Sequence, residues 1–257
     1  MNIWKSICTS VVALLVAMAP AAPASAQYGD FFVVGEELEY EVSYLNITLG
    51  TIKTIAEPYT TLDGKRVAKV KVFIHAHTSI PFLSLHSIYE SWMDTSCTYS
   101  NQFQANTKSS EGDWIFDQYL IDYNKRKVTM ETWRHKKLEE RKMVDIEKHF
   151  NDGSSLLFAA RAMLRSGKSY RIPTLIMQQA ENTIINFQNK KETAEVSAVP
   201  YPVKTVYLNG KAEWEGIYGL SGRFEGWFSD DEARLPIKAQ KKVYVVSVNI
   251  ELVRGKG

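Results

Sequence analysis

The chain has 257 residues, 45% of them apolar and 23% charged, enough for one large folded domain or two small ones with a real core. Thirty-one Lys and Arg against 29 Asp and Glu leave a formal charge of +2, with the two signs interleaved along the chain. That balance excludes the basic face a nucleic-acid partner requires.

Residues 1–26 differ from the rest. Lys5 precedes an apolar run from Ile7 to Ala19, Pro20 and Pro23 break it, and Ala24-Ser25-Ala26 fits a small-x-small cleavage site. This predicts a secretory signal cleaved after Ala26, on an exported protein. The run is short for a bilayer span and residues 27–257 hold no longer one, so the mature chain is expected to have no transmembrane segment. Cys8 leaves with the signal, and Cys97 alone can form no internal disulfide. Burial as a small apolar strand residue is the expected role of Cys97.

From Glu37 onward the pattern is strand-like. Leu38, Tyr40, Val42 and Tyr44 alternate with polar residues, as in a half-buried strand. A shorter strand is predicted over Leu49–Ala56, and Asp63-Gly64 marks a turn into a long one. There Ala68, Val70, Val72, Ile74 and Ala76 share a face opposite Lys69, Lys71, Phe73, His75 and His77. After a break at Pro81, Leu85–Asp94 carries bulk on both faces, with Ile88 and Trp92 on one and Tyr89 and Met93 on the other. Further strands are expected over Asn101–Glu111 and Trp114–Tyr123, then a hairpin of Lys127–Arg134 and Leu138–Ile146 about His135-Lys136-Lys137. This spacing predicts a meandering antiparallel sheet.

One segment departs from the pattern. Asp152-Gly153-Ser154 is a helix start, Leu156, Ala160, Met163 and Leu164 fall on one helical face, and Gly167 is placed to end the helix. Strands then resume over Tyr170–Met177, Asn182–Gln188, Thr193–Val199 and Val203–Trp214, with Lys190-Lys191 read as a solvated turn and Asn209-Gly210 as a turn within the last. In Gly222–Ser229, Gly222, Phe224, Gly226 and Phe228 share one face, and Arg223, Glu225, Trp227 and Ser229 the other. Asp230-Asp231-Glu232 reads as an acidic turn into a strand that opens near Pro236. A final strand over Val243–Val253 aligns Tyr244, Val246, Val248, Ile250 and Leu252. Residues 27–257 are expected to form a single β-rich domain: a strongly curved antiparallel sheet with one main helix packed against it.

No catalytic signature emerges. Gly219-Leu220-Ser221-Gly222-Arg223 misses a nucleophile elbow by its second glycine, and there is no phosphate loop, dinucleotide fingerprint or His-Glu-x-x-His. No cofactor is implied. His75 and His77 share a strand face, which is how some metal sites begin, but read more simply as polar residues on the wetter face. The acids at 230–232 diverge in a turn and fit its capping better than acid–base work. Aromatics on strands can line an apolar cavity or stack on sugars. Trp227 and Arg223 on the late strand, with Trp92 and Tyr89 on the earlier one, are the candidate ligand-binding residues.

Three blocks carry a resemblance: Gly35-Glu36-x-Leu38-x-Tyr40-x-Val42-x-Tyr44, the Asp152-x-Ser154 helix with Arg161, and Trp227-x-Ser229-Asp230-Asp231-x-x-Arg234-x-Pro236-Ile237. Together they resemble the bacterial exported family called domain of unknown function 3108. The resemblance implies a curved half-barrel, similar to lipoprotein-carrier and lipocalin-like shapes that hold apolar or amphiphilic ligands. The expected function is non-enzymatic binding or carriage of a lipid, amphiphile or glycan of the cell envelope. The alternatives are an assembly factor binding another envelope protein, and an envelope hydrolase using paired carboxylates.

Overall fold

The structure, a computed structural model, describes residues 31–77, 85–108, 112–214, 222–243 and 246–256. The expected signal over residues 1–26, the elbow-like Gly219-Leu220-Ser221 and Tyr244 lie outside the described residues. The first arm of the fold comprises β1 (Glu37–Tyr44), β2 (Ile47–Leu62), β3 (Lys65–Ala76), β4 (His86–Met93), β5 (Ser100–Lys108), β6 (Trp114–Asp122), β7 (Lys127–Arg134) and β8 (Lys137–Asp145). A two-residue strand β9 (Asn151–Asp152) leads into the helix α1 (Ser155–Met163). The second arm comprises β10 (Ser169–Ile176), β11 (Gln179–Ala194), β12 (Val203–Ala212), β13 (Gly222–Ser229), β14 (Pro236–Val243) and β15 (Val246–Lys256).

All these strands form one sheet in the order β8-β7-β6-β5-β4-β3-β2-β1-β15-β14-β13-β12-β11-β10-β9. Neighbours are antiparallel except β9 with β10. The first and last strands meet at the centre, with Tyr40 opposite Leu252 and Val42 opposite Ile250.

The helix explains the curvature. In the first arm, Ala56, Ala68, Val70, Val72 and Met93 pack on Phe158 and Ala162. In the second, Ile172, Ile185, Phe187, Val206, Leu208 and Phe228 pack on Ala160 and Leu164. A sheet that covers both sides of one helix must bend around it, so α1 lies on the concave face. The outer strands approach without closing into a barrel. Leu175 of β10 joins a cluster with Tyr119, Val128 and Met130 of the other arm. The adjoining turn is stapled there by side chains: Gln178 Nε2 donates to Asp117 Oδ1 and Thr132 Oγ1, both at 3.0 Å, and Lys142 Nζ donates to the Gln178 carbonyl at 3.1 Å. The fold is thus mainly β, curved and antiparallel, with one short helix. Among the described residues no helix is long and apolar enough to cross a membrane.

Several local expectations need correction. β2 runs on to Leu62, because Pro58, which has no N–H to donate, sits where the β2–β3 register shifts between Glu57 and Thr60. β11 is one strand of 16 residues. Lys190-Lys191 is no turn but follows a bulge after Phe187 that passes through Asn189 at φ 53°. Asn209-Gly210 lies within β12, where the glycine leaves room: a Cβ there would stand 2.3 Å from the Phe224 ring and from the Ile184 carbonyl. Val243 ends β14 rather than opening the last strand. Cys97 sits in the turn between β4 and β5 at φ 57°, fully buried beside Phe31 and Phe158.

Candidate functional site

The two ends of the concave face differ, and α1 makes the difference. Its start is fixed by Asp152, whose Oδ1 accepts the N–H groups of Ser154 (2.7 Å) and Ser155 (2.9 Å), while Oδ2 accepts the Ser91 hydroxyl (2.6 Å). Asp152 therefore satisfies donors a helix N-terminus would leave orphaned, and ties them to β4. Burial pushes its carboxyl upward, against the lowering pull of these hydrogen bonds.

Arg161, in the last turn of the helix, is 1% exposed. Its guanidinium grips Glu36 in a two-pronged ion pair, Nη1–Oε1 2.6 Å and Nη2–Oε2 2.9 Å, and donates to the Ala233 carbonyl at 2.8 Å. It also lies over the rings of Phe31 and Phe158, at 4.8 and 5.3 Å. Arg234 reaches the Arg161 and Ala162 carbonyls at 3.4 Å, and Arg165 pairs with Glu232 at 2.8 Å. The acidic turn is capped internally, Asp231 Oδ1 accepting the Ser229 hydroxyl (2.7 Å) and the Arg234 N–H (3.1 Å). The three sequence blocks that carry the family resemblance thus converge at one end of the fold. There they form a plug whose charged groups are already engaged with one another.

Among the described residues, the other half of the concave face is not covered in this way. Residues opposite each other in an antiparallel pair share a face. Phe224 packs with the helix cluster, and it faces Lys241, which faces Val248. Ile52 faces both Tyr40 and Ile74, and Tyr89 faces Val72. Val42, Ile52, Ile74, Tyr89, Phe224, Val248 and Ile250 are therefore concave-face residues, and all are only half-buried. Leu157 of α1 packs against both arms and is also half-buried. Together they make a partly exposed apolar stretch of the concave face beside α1, referred to below as the hollow.

Of the four candidate ligand residues, Tyr89 lies in this hollow. Trp92 projects from the convex face, where Lys69 Nζ stands 4.9 Å above its ring. Arg223 and Trp227 alternate with Phe224, Gly226 and Phe228, so they too face outward. Trp227 donates its indole N–H to Glu192 at 2.6 Å and stands 5.5 Å from the Tyr207 ring. The fold therefore does not bring the four together. His75 meets His86 across the strand pair with ring centroids 4.3 Å apart, and burial together with that neighbour lowers its titration. Glu90, on the same outer face, is engaged by Lys69 and Lys71. Among the described residues no group of three or more His, Cys, Asp or Glu side chains could hold a metal ion.

Sequence reasoning missed Lys241, and a signal was there: in Ile237-x-Ala239-x-Lys241 a lysine continues the alternation of inward apolar positions. Its ammonium lies 5.0 Å from the Trp214 ring, and burial alone pulls its titration down.

No curated relative matches the chain in sequence. Among solved structures, a β-barrel-like protein of domain of unknown function DUF1849 from Brucella abortus superposes with a TM-score of 0.58 at 9% identity, over 87% of this chain and 98% of that one. That likeness is one of fold. Weaker superpositions are found with a Bacteroides fragilis protein described as exported with a YmcC-like fold (TM-score 0.40, 7% identity, 88% and 97% covered) and a Parabacteroides distasonis protein described as a lipoprotein (0.32, 10%, 88% and 98%). The sequence itself matches one family model from residue 39 to residue 253, so the chain belongs to the family of proteins of unknown function DUF3108.

Proposed function

We propose that this protein is a non-enzymatic binding or carrier protein that takes an amphiphile of the cell envelope into its apolar hollow, and that it acts in the periplasm after loss of residues 1–26. The observation that carries this reading is the uneven cover of the concave face. One half is filled by α1, whereas the other presents half-buried Val42, Ile52, Ile74, Tyr89, Val248 and Ile250. A concave apolar lining with a few polar groups is the usual form of a small-molecule site. The plugged end offers no competing chemistry, since its buried carboxylates, Glu36 and Asp152, are committed to Arg161 and to the helix start. Native mass spectrometry of protein isolated from its own periplasm tests the reading. The expected result is an adduct of about a few hundred daltons, roughly the mass of a drug-sized or lipid molecule, that organic extraction removes. A bare mass, under conditions that retain lipid on known carriers, contradicts it.

A glycan is the second reading, favoured by a different place. On the convex face, Trp114, Phe116, Trp133 and His135 line an open groove of about 680 Å³, and Trp114 is 44% exposed. Exposed indole faces of this kind stack on sugars.

A further inference from the structure

Lys241 stands apart from the comparable lysines among the described residues. Among the described residues five lysines are half-buried: Lys53, Lys69, Lys71, Lys238 and Lys241. Four of them hold a carboxylate: Lys53 pairs with Glu37 at 2.7 Å, Lys69 with Glu57 and Glu90 at 2.9 and 3.0 Å, Lys71 with Glu90 at 3.4 Å, and Lys238 with Glu251 at 3.9 Å. All four are on the convex face, where their strands carry polar side chains. Lys241 is on the concave face between Phe224 and Val248, and no described acid pairs with it. Its described neighbour of note is the ring of Trp214, which is itself held in place by an indole N–H donated to the buried Thr183 hydroxyl at 2.8 Å.

A cation on an apolar surface costs free energy unless an anion or dipoles offset it. The other half-buried lysines among the described residues offset such costs with carboxylates, so an ammonium that no described acid matches, facing an apolar hollow, is shaped for an anion that comes from outside. The aromatic ring fixes the ammonium without neutralising it, which leaves its donors for a ligand oxygen.

Resting on the binding reading above, we infer that the ligand of the hollow is an anionic amphiphile, whose carboxylate or phosphate head is received by Lys241 beside Trp214 while its tail lies on Ile52, Phe224, Val248 and Ile250. The shared chemistry is an anionic oxygen head joined to an apolar chain. A carboxylate and a phosphate monoester are its two sources, and the test treats them separately.

Isothermal titration of the delipidated protein with decanoate, monodecyl phosphate and decanol, all below their aggregation limits, gives the direct test, with acetate and inorganic phosphate as headgroup controls. The wild type is expected to bind one or both anionic chains at least about tenfold more tightly than decanol, and the free anions not measurably, as a charge-assisted hydrogen bond in a desolvated site implies. Whichever anionic chain binds names the source. Lys241→Met keeps the stem and removes the charge, and it should lose that preference while its decanol affinity stays within about twofold. Lys241→Arg keeps the charge and should retain the preference. Equal wild-type affinity for the anionic chains and decanol overturns the inference and leaves the carrier reading standing, as does an unchanged preference in a folded Lys241→Met protein. Failure of all three chains to bind removes the hollow as a site and the inference with it.

Discussion

Arg161 of α1 and Glu36 ahead of β1, 125 residues apart, close a two-pronged ion pair that is almost wholly withdrawn from solvent. The pair joins the entrance of the sheet to the helix, and the Ala233 carbonyl adds the β13–β14 turn. Withdrawing both ions costs several kcal/mol each, so the pair fixes where the helix lies more than it adds net stability. Glu36→Gln leaves a buried guanidinium without its counter-charge and should cost about 3–5 kcal/mol in urea unfolding, whereas the double change Glu36→Leu with Arg161→Met should recover most of that loss. A Glu36→Gln protein within about 1 kcal/mol of wild type would show that the pair does not hold the helix.

Asp152 gives a pH signature of known sign. Its carboxyl titrates above the ordinary 3.8 because burial outweighs the hydrogen bonds it accepts. Such a group adds most to folding below its unfolded value, and the increment is lost as pH rises from there through the raised folded value. Asp152→Asn keeps an acceptor for the Ser154 and Ser155 N–H groups but cannot ionise. Its stability relative to wild type should therefore rise between about pH 3 and about pH 8. Denaturation curves at the two pH values check this, and a difference that does not move with pH contradicts it. Asp152→Ala removes the acceptor and should cost about 1–3 kcal/mol.

Cys97 is predicted to be inert in the folded protein. Burial first, and then Asp94, push its thiol from 9.0 up to about 12. At mildly alkaline pH its thiolate fraction is then roughly a thousandfold below that of an unfolded chain. Alkylation followed by mass spectrometry should show labelling that tracks unfolding by urea. Rapid stoichiometric labelling of native protein would mean that the β4–β5 turn opens freely.

The convex placement of Trp227 makes a further separable prediction. Trp227→Phe loses the indole hydrogen bond to Glu192 and should cost about 1 kcal/mol of stability, with no change in ligand affinity beyond about twofold. Trp92→Phe, which changes the ring beneath Lys69 on the same outer face, should likewise leave ligand affinity within about twofold. A tenfold loss of affinity in either would return the binding site to the outer face.

These placements show what a one-dimensional pattern carries. Alternation identified the faces of β1, β3 and β13 because each has one face in the core, so hydrophobicity and geometry agree. It also located the helix start at Asp152 and the turn at Asp63-Gly64, whose residues adopt φ 49° and 78°. β11 was split in two because lysines within a bulged strand look like a turn; the backbone resolves this by adding one register shift. The site was less legible for a different reason. A strand reports which residues share its own face but not which face of a curved sheet is concave, and that is decided by α1, packed against both arms. Once the helix is placed, Tyr89 turns inward and Trp92 outward. Arg161 was visible only as a motif residue, since Glu36 and Ala233, its partners, come from distant segments.

The central claim is that the uncovered half of the concave face holds a ligand, and a fluorescence titration tests it most directly. N-phenyl-1-naphthylamine, an uncharged apolar probe, should show saturable enhancement with delipidated wild-type protein. Ile250→Trp and Val248→Trp place an indole in the hollow, and each should weaken the probe by about tenfold or more. Trp227→Phe should bind it as wild type does. Thermal unfolding of each variant confirms that the sheet remains assembled. Saturable binding that both filled variants weaken by about tenfold or more is the predicted result; no saturable binding, or equal affinity in a folded Ile250→Trp protein, contradicts the account.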